Sequence, residues 1–240
     1  WDQTDSQIQE MLTRDLFTPE NLHYAVIEGG RHDIDACERY LYHALQNFFG
    51  NQGGTHLNFE PVTRGTLVRD VMDNPVFGDY GRLLFPVDRT IPETMTLEDV
   101  GDLLVWYHYV NPDKTVEIIN SLGERAASGD TIFYDIYTDE EKAADPDKAD
   151  TGLFFFRGES GGRTAICNAG GGFVYVGAMQ DSFPHALELS KQGYNAFALI
   201  YRPGAQTAFE DLARTIAFLH EHAEELDIDM TDYSLWGGSA

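Results

Sequence analysis

The chain closes on "YSLWGGSA", residues 233–240, and the reading of this stretch decides the fold. Residues 233–236 form a short apolar run that predicts a buried strand. Small residues then stand at 237, 238 and 240, on both sides of Ser239. Together they fill four of the five positions of G-x-S-x-G, a sharp strand-to-helix turn that lifts a serine Oγ clear of a parallel sheet. So tight a turn brings backbone against backbone, and bulky side chains beside the serine would clash. The fifth position would be residue 241, so the expectation is that the chain is truncated there.

Working upstream, Phe209, Leu212, Ala213, Ile216 and Leu219 recur at helical spacing and predict a helix with that stripe buried. Residues 195–201 are almost wholly apolar, as in a parallel strand covered on both faces. Before them, Asp181 or Ser182 is the expected cap of a helix with Pro184 in its first turn and Gly193 past its end. Residues 164–168 are a further short strand, running into Ala169-Gly170-Gly171-Gly172-Phe173. Residues 132–137 and 153–156 read as a pair of hairpin strands. The acidic stretch between them, "TDEEKAADPDKADTG", lacks the spacing of a calcium loop and reads as a solvated tip. The whole is an antiparallel hairpin leading into a parallel α/β sheet.

A glycine run after a strand turns backbone N–H groups toward a negative oxygen. That oxygen is either a phosphate or the oxyanion of acyl transfer. No G-K-[ST] follows, as a phosphate-binding loop of the nucleoside triphosphatase kind requires. A serine placed one strand–helix–strand–helix–strand unit later supplies what acyl transfer needs, a hydroxyl beside oxyanion donors.

The remainder is less regular. Residues 51–64 are rich in Gly and Asn and read as a linker. Residues 65–129 are expected to be a loosely structured lead-in that packs on a neighbouring domain. It should hold a helical piece near 97–106 and a helix through Arg125 capped by Asp113 or Thr115. Residues 1–50 combine a short helix, a strand near 22–27, a Gly-Gly-x-His turn and an amphipathic helix.

Composition narrows the partners. Sixteen Lys and Arg stand against 40 Asp and Glu, a net charge of −24. Such a charge disfavours nucleic acid and anionic membrane surfaces. No apolar run approaches the ~20 residues that span a bilayer, and no basic-then-apolar leader opens the chain. The sequence fits a soluble protein without distinguishing secretion from the cytoplasm. Cys37 and Cys167 fit no metal spacing and read as small buried residues. Neither a cofactor nor a metal is expected.

From Asp130 onward, "NAGGGF", "FPHALELSKQGYNAFALIYR", "EDLARTIAFLHEHAEEL" and "YSLWGGSA" resemble the α/β-hydrolase carboxylesterases of the acetyl-esterase/lipase and BD-FAE-like group. The resemblance implies an incomplete α/β-hydrolase fold over 130–240, the N-terminal half of the sheet ending at the nucleophile elbow, preceded by a mostly helical or irregular segment. It further implies Ser239 as nucleophile, with Gly171, Gly172 and Ala240 as oxyanion donors. Asn168 stands where many relatives carry His or Pro. The substrate class implied is a small-molecule or carbohydrate ester with a short acyl group, such as acetyl or feruloyl. A non-catalytic binding module and a peptidase of the same fold are the alternatives.

In this fold the acid and base follow the serine along the chain. The 240 residues alone are therefore expected to lack useful esterase activity. The stretch "NLHYAVIEGGRHDIDACERYLYHALQNFF" resembles the C-terminal end of feruloyl and enterochelin esterase-like domains. There His32 takes the place of an upstream domain's catalytic base. The same residues also read as a helix-entry histidine with Asp33 or Asp35 as N-cap.

Overall fold

The computed structural model describes residues 57–107 and 109–239. The readings made on residues 1–50, among them His32 and Cys37, lie outside the described residues, as does that on Ala240.

Continuous apolar runs become the middle of a sheet. Strands β2 (Gly152–Phe156) and β4 (Asn195–Ile200) are buried along their whole length. With β1 (Phe133–Tyr134), β3 (Arg163–Asn168) and β5 (Asp229–Gly237) they form five strands in the order β1-β2-β4-β3-β5. β2 runs antiparallel to both β1 and β4, whereas β3 is parallel to β4 and to β5. The hairpin strand β1 is only two residues long. The acidic tip is helical rather than an open turn. A capping box of Thr138 and Glu141 starts a short helix at Asp139–Ala144. Its neighbours Asp145 and Asp150 pair with Arg202 and Arg82.

Helix Ser182–Lys191 links β3 to β4, and helix Ala205–Glu221 carries the chain from β4 back across β3 to β5. β3 is thus flanked by the strand that follows it and by the strand reached after the reversal. At such a switch point the connections diverge beyond the carboxyl ends of the strands and leave a crevice there. The glycine run after β3 and the serine turn after β5 both open into that crevice.

Three expectations are met only in part. The stretch 233–236 is not buried: Leu235 is 52% and Trp236 44% exposed. Among the described residues, β5 pairs only with β3 and forms a sheet edge. Of the stripe on helix Ala205–Glu221, Leu219 is buried and Leu212 and Ile216 pack on the core, whereas Phe209 is 63% exposed. The same inward face carries the buried Asp211 carboxylate, which accepts from Arg202 just past the end of β4.

The lead-in, third, packs on the sheet but is not loose. Its Val68, Phe77, Leu84, Leu97, Ile118 and Leu122 are buried in the same core as the sheet. Arg125 ties helix Pro112–Ala127 to the sheet by donating to the Phe155 carbonyl at 2.6 Å. That helix is capped by Asn111, whose side chain accepts from the Asp113 amide at 3.0 Å, with Pro112 at its first position. The expected caps, Asp113 and Thr115, lie within it. Residues 97–103 form a 3-10 turn.

Aromatic rings fill the layer between helices and sheet. Phe155 stacks on Phe197 at 4.3 Å, and Phe154 meets Phe183 edge-on at 5.0 Å. Quadrupole complementarity adds about 0.5–1.5 kcal/mol per pair to the burial itself. Among the described residues no helix is long and apolar enough to cross a membrane.

Cys167, on β3, is a free thiol whose pKa burial pushes up to about 12, with the charge of Asp181 adding to the effect. Burial likewise pushes the Tyr201 phenol up to about 12. An unfolded chain ionises both groups at lower pH, so each ionisation favours unfolding as pH rises from about 9 toward 12. For Cys167 the loss reaches on the order of 2–3 kcal/mol by about pH 11. Urea midpoints are expected to fall steeply over this range, and less steeply in Cys167→Ala. A variant with the wild-type pH slope would refute the assignment.

Candidate active site

The site begins with register. Asn168 pairs with Gly237 at the ends of β3 and β5. The Asn168 side chain donates to the Trp236 carbonyl at 3.0 Å, and the Gly238 amide donates to the Asn168 carbonyl at 3.3 Å. The two strands therefore release their loops at one level, and the loops meet. The Gly171 amide donates to the Ser239 carbonyl at 3.1 Å. Sequence positions nearly 70 residues apart are joined by one backbone hydrogen bond.

The glycine loop folds on itself. Gly177 donates to the Gly170 carbonyl at 3.1 Å, and Val174 donates to that of Gly171 at 3.0 Å. Gly171 has no room for a side chain, because a Cβ would run into the Tyr175 backbone. Gly172 adopts φ 59° and Phe173 φ 58°. A bulky residue in the left-handed region is strained. The Phe173 ring packs 5.9 Å from Phe209 and 6.5 Å from Tyr201, and its carbonyl accepts from Gly204 at 2.7 Å. Of the two oxyanion amides expected in the glycine loop, that of Gly171 is committed to Ser239, whereas that of Gly172 has no hydrogen-bond partner among the described residues.

Two cavities reach Ser239. One, of about 740 Å³, is lined by Tyr107, Gly171, Gly172, Tyr175 and Asp181, with the 83%-exposed Trp106 at its mouth. The other, of about 170 Å³, is walled by Phe173, Tyr201, Ala208, Phe209 and Leu212. The Tyr201 hydroxyl is satisfied by the Ala169 carbonyl at 2.7 Å, so the ring offers this crevice only its apolar face. Ser239 itself is exposed.

Sequence reasoning missed Asp181 and Tyr107. Asp181 is buried at 8% exposure, and one of its oxygens accepts from the Gly170 amide at 2.8 Å and from the Tyr107 hydroxyl at 3.2 Å. Its other oxygen lies 3.2 Å from His185 Nδ1. Burial, and then the charge of Asp181, push the Tyr107 phenol well above its ordinary range. An aspartate ahead of a helix reads as a cap, and Tyr107 lies in an irregular stretch, so neither carried a local signal. His185, His220 and His222 are the histidines among the described residues. They engage Asp181, the ring of Tyr233 and Glu225 respectively, and none is bonded to Ser239.

No protein-family description matches the chain, and no curated protein matches it. Among solved structures the chain is similar to the apo form of Thermogutta terrifontis esterase 2, at 22% identity and a TM-score of 0.33, over 37% of this chain and 37% of that chain. It is also similar to the butyrate-bound structure of a thermophilic esterase from the planctomycete Thermogutta terrifontis, at 21% identity and a TM-score of 0.37, over 45% of this chain and 40% of that one. The chain thus spans roughly two-fifths of the length of the esterases it matches.

Proposed function

We propose that this chain carries the nucleophile and the oxyanion loop of a serine esterase acting on short acyl esters, acetyl or feruloyl groups on carbohydrate among them. The observation that carries the reading is the seating of Ser239, at the carboxyl end of β5, directly against the glycine loop by the 3.1 Å bond from Gly171. The hydroxyl of Ser239 attacks the ester carbonyl and the alcohol leaves, giving an acyl-enzyme that water then hydrolyses. The negative charge that develops on the carbonyl oxygen needs preorganised donors. Gly172, whose amide has no partner among the described residues and lies beside the 740 Å³ cavity, is the first of these. Ala240 is the second donor by the resemblance. The base that takes the Ser239 proton, and the acid that orients the base, are supplied by residues outside those described.

The test is Ser239-dependent chemistry in the full-length natural polypeptide. A fluorophosphonate is expected to label Ser239, as mapped by mass spectrometry. Ser239→Ala should lower hydrolysis of p-nitrophenyl acetate by about 10⁴-fold or more, as loss of a nucleophile does elsewhere. The 240-residue chain by itself should stay at the background of its own Ser239→Ala variant. Hydrolysis that survives the substitution would sink the esterase reading. Absence of both labelling and hydrolysis in the full-length polypeptide would favour a non-catalytic binding module instead.

A further inference from the structure

We infer that Asp181 is the positioning residue of this site, a single buried carboxylate that sets the glycine loop, the serine turn and the lead-in loop in one geometry. The inference rests on the esterase reading above only for its catalytic consequence. Three segments converge on the side chain. From the glycine loop, the Gly170 amide donates to it at 2.8 Å. From the lead-in, the Tyr107 hydroxyl donates at 3.2 Å. From the serine turn, Gly238 lies so close that a Cβ there would fall on the carboxylate.

The side chain also forgoes its local role. Asp181 precedes the first residue of the helix Ser182–Lys191, where an aspartate ordinarily accepts from the second or third helical amide. Here it makes no side-chain cap bond and has φ −135° and ψ −77°. One carboxylate oxygen faces the glycine loop, and the other lies 3.2 Å from His185 Nδ1 on the helix itself.

The consequence follows from the loop's connectivity. With the Gly170 amide fixed by Asp181 and the Gly170 carbonyl held by Gly177, the peptide leading to Gly171 has one orientation. That orientation aims the Gly171 amide at the Ser239 carbonyl and carries Gly172 to the cavity wall. Asp181 lines the cavity wall at 8% exposure and acts through the backbone amides of the loop. Preorganised donors lose their effect when displaced by about an ångström.

The test compares wild type, Asp181→Asn, Asp181→Ala and Tyr107→Phe in the full-length natural polypeptide. Exchange of the Gly170 and Gly171 amide hydrogens should speed up about tenfold or more in Asp181→Ala, with the amides of β4 unchanged. Asp181→Asn keeps one acceptor oxygen and should fall between the two. Tyr107→Phe should leave the Gly170 amide protected. For p-nitrophenyl acetate, Asp181→Ala should lose about 10²-fold in kcat with KM within about twofold.

Unchanged exchange at Gly170 overturns the inference. So does acceleration spread evenly over the sheet with kcat tracking the folded fraction, the mark of a merely structural carboxylate. Should wild type show no Ser239-dependent turnover, the esterase reading fails, and the exchange data alone decide. Acceleration confined to the loop then upholds the positioning role, and any other pattern removes it. If Asp181→Ala does not fold, Asp181→Asn carries the same comparison.

Discussion

Replacing Asp211 by alanine is expected to cost about 3–5 kcal/mol of folding stability, the usual penalty for stranding a buried charge. Asp211 is fully buried, and Arg202 is 5% exposed. The carboxylate accepts from the Arg202 amide at 2.7 Å, from its guanidinium at 2.8 Å and from the Tyr137 hydroxyl at 2.7 Å. The bond to Asp211 is the chief cause holding the Arg202 pKa above its ordinary value. Without it the guanidinium keeps Asp145 at 2.9 Å and Glu210 at 3.7 Å, both on the rim and partly hydrated. Exposed partners of this kind recover little. A domain is stable by only about 5–15 kcal/mol, so the urea midpoint should drop by a large fraction. The double substitution Arg202→Met with Asp211→Leu should restore most of the loss, because neither charge is then buried alone. A loss below about 1 kcal/mol in Asp211→Ala would show that the pair is not dry in solution.

Gly238→Ala is expected to disrupt the site where Gly237→Ala is not. In the pattern G-x-S-x-G the residue before the serine is the unconstrained one, yet here the constraint sits there. A Cβ on Gly238 would fall on the Asp181 carboxylate, which is itself held by Gly170 and Tyr107. Either the turn or the carboxylate must move, at a cost of about 1–3 kcal/mol for overpacking. If the esterase reading holds, displacement of Ser239 by an ångström should remove about 10²-fold of the turnover. A Cβ on Gly237 would meet nothing within 4 Å, and the φ of Gly237 is not positive. Its alanine variant should stay within about 0.5 kcal/mol of wild type. Equal effects at the two positions would refute the steric account. Thermal melts together with fluorophosphonate labelling rates distinguish the outcomes.

Local sequence gave no sign of the Asp211 pair and did not say which glycine before Ser239 is crowded, and the same division runs through the molecule. The alternation from 163 to 237 of strand, glycine loop, helix, strand, helix and strand was legible, because apolar runs, caps and glycine stops are local signals. The meeting of the glycine loop with Ser239 also followed from the chain, since parallel strands joined by helices bring their carboxyl ends to one edge. The order β1-β2-β4-β3-β5 was not legible. Nothing local tells β2 to pair with β4 rather than with β3.

The lead-in held one legible helix, through Arg125, and the rest was read as loose because its apolar residues come in short pieces without a period. In the structure Phe77, Leu97 and Ile118 are each fully buried against the sheet. Periodicity along a chain cannot register contacts between segments. The helix Ala205–Glu221 shows the same limit, since its apolar spacing gave no sign that Asp211 is buried or that Phe209 is exposed. Asp181 carries every local sign of a cap and caps nothing.

The order of residues along the chain was enough to say which segments are strands and helices, where the glycine run and the serine turn lie, and that they share one end of a sheet. Folding had to be seen to learn what the buried charges do, which glycine is crowded and which face of each element is covered. The reason is that backbone preference and turn chemistry are properties of neighbouring residues. Burial and charge pairing are set by residues that become neighbours only once the chain has folded.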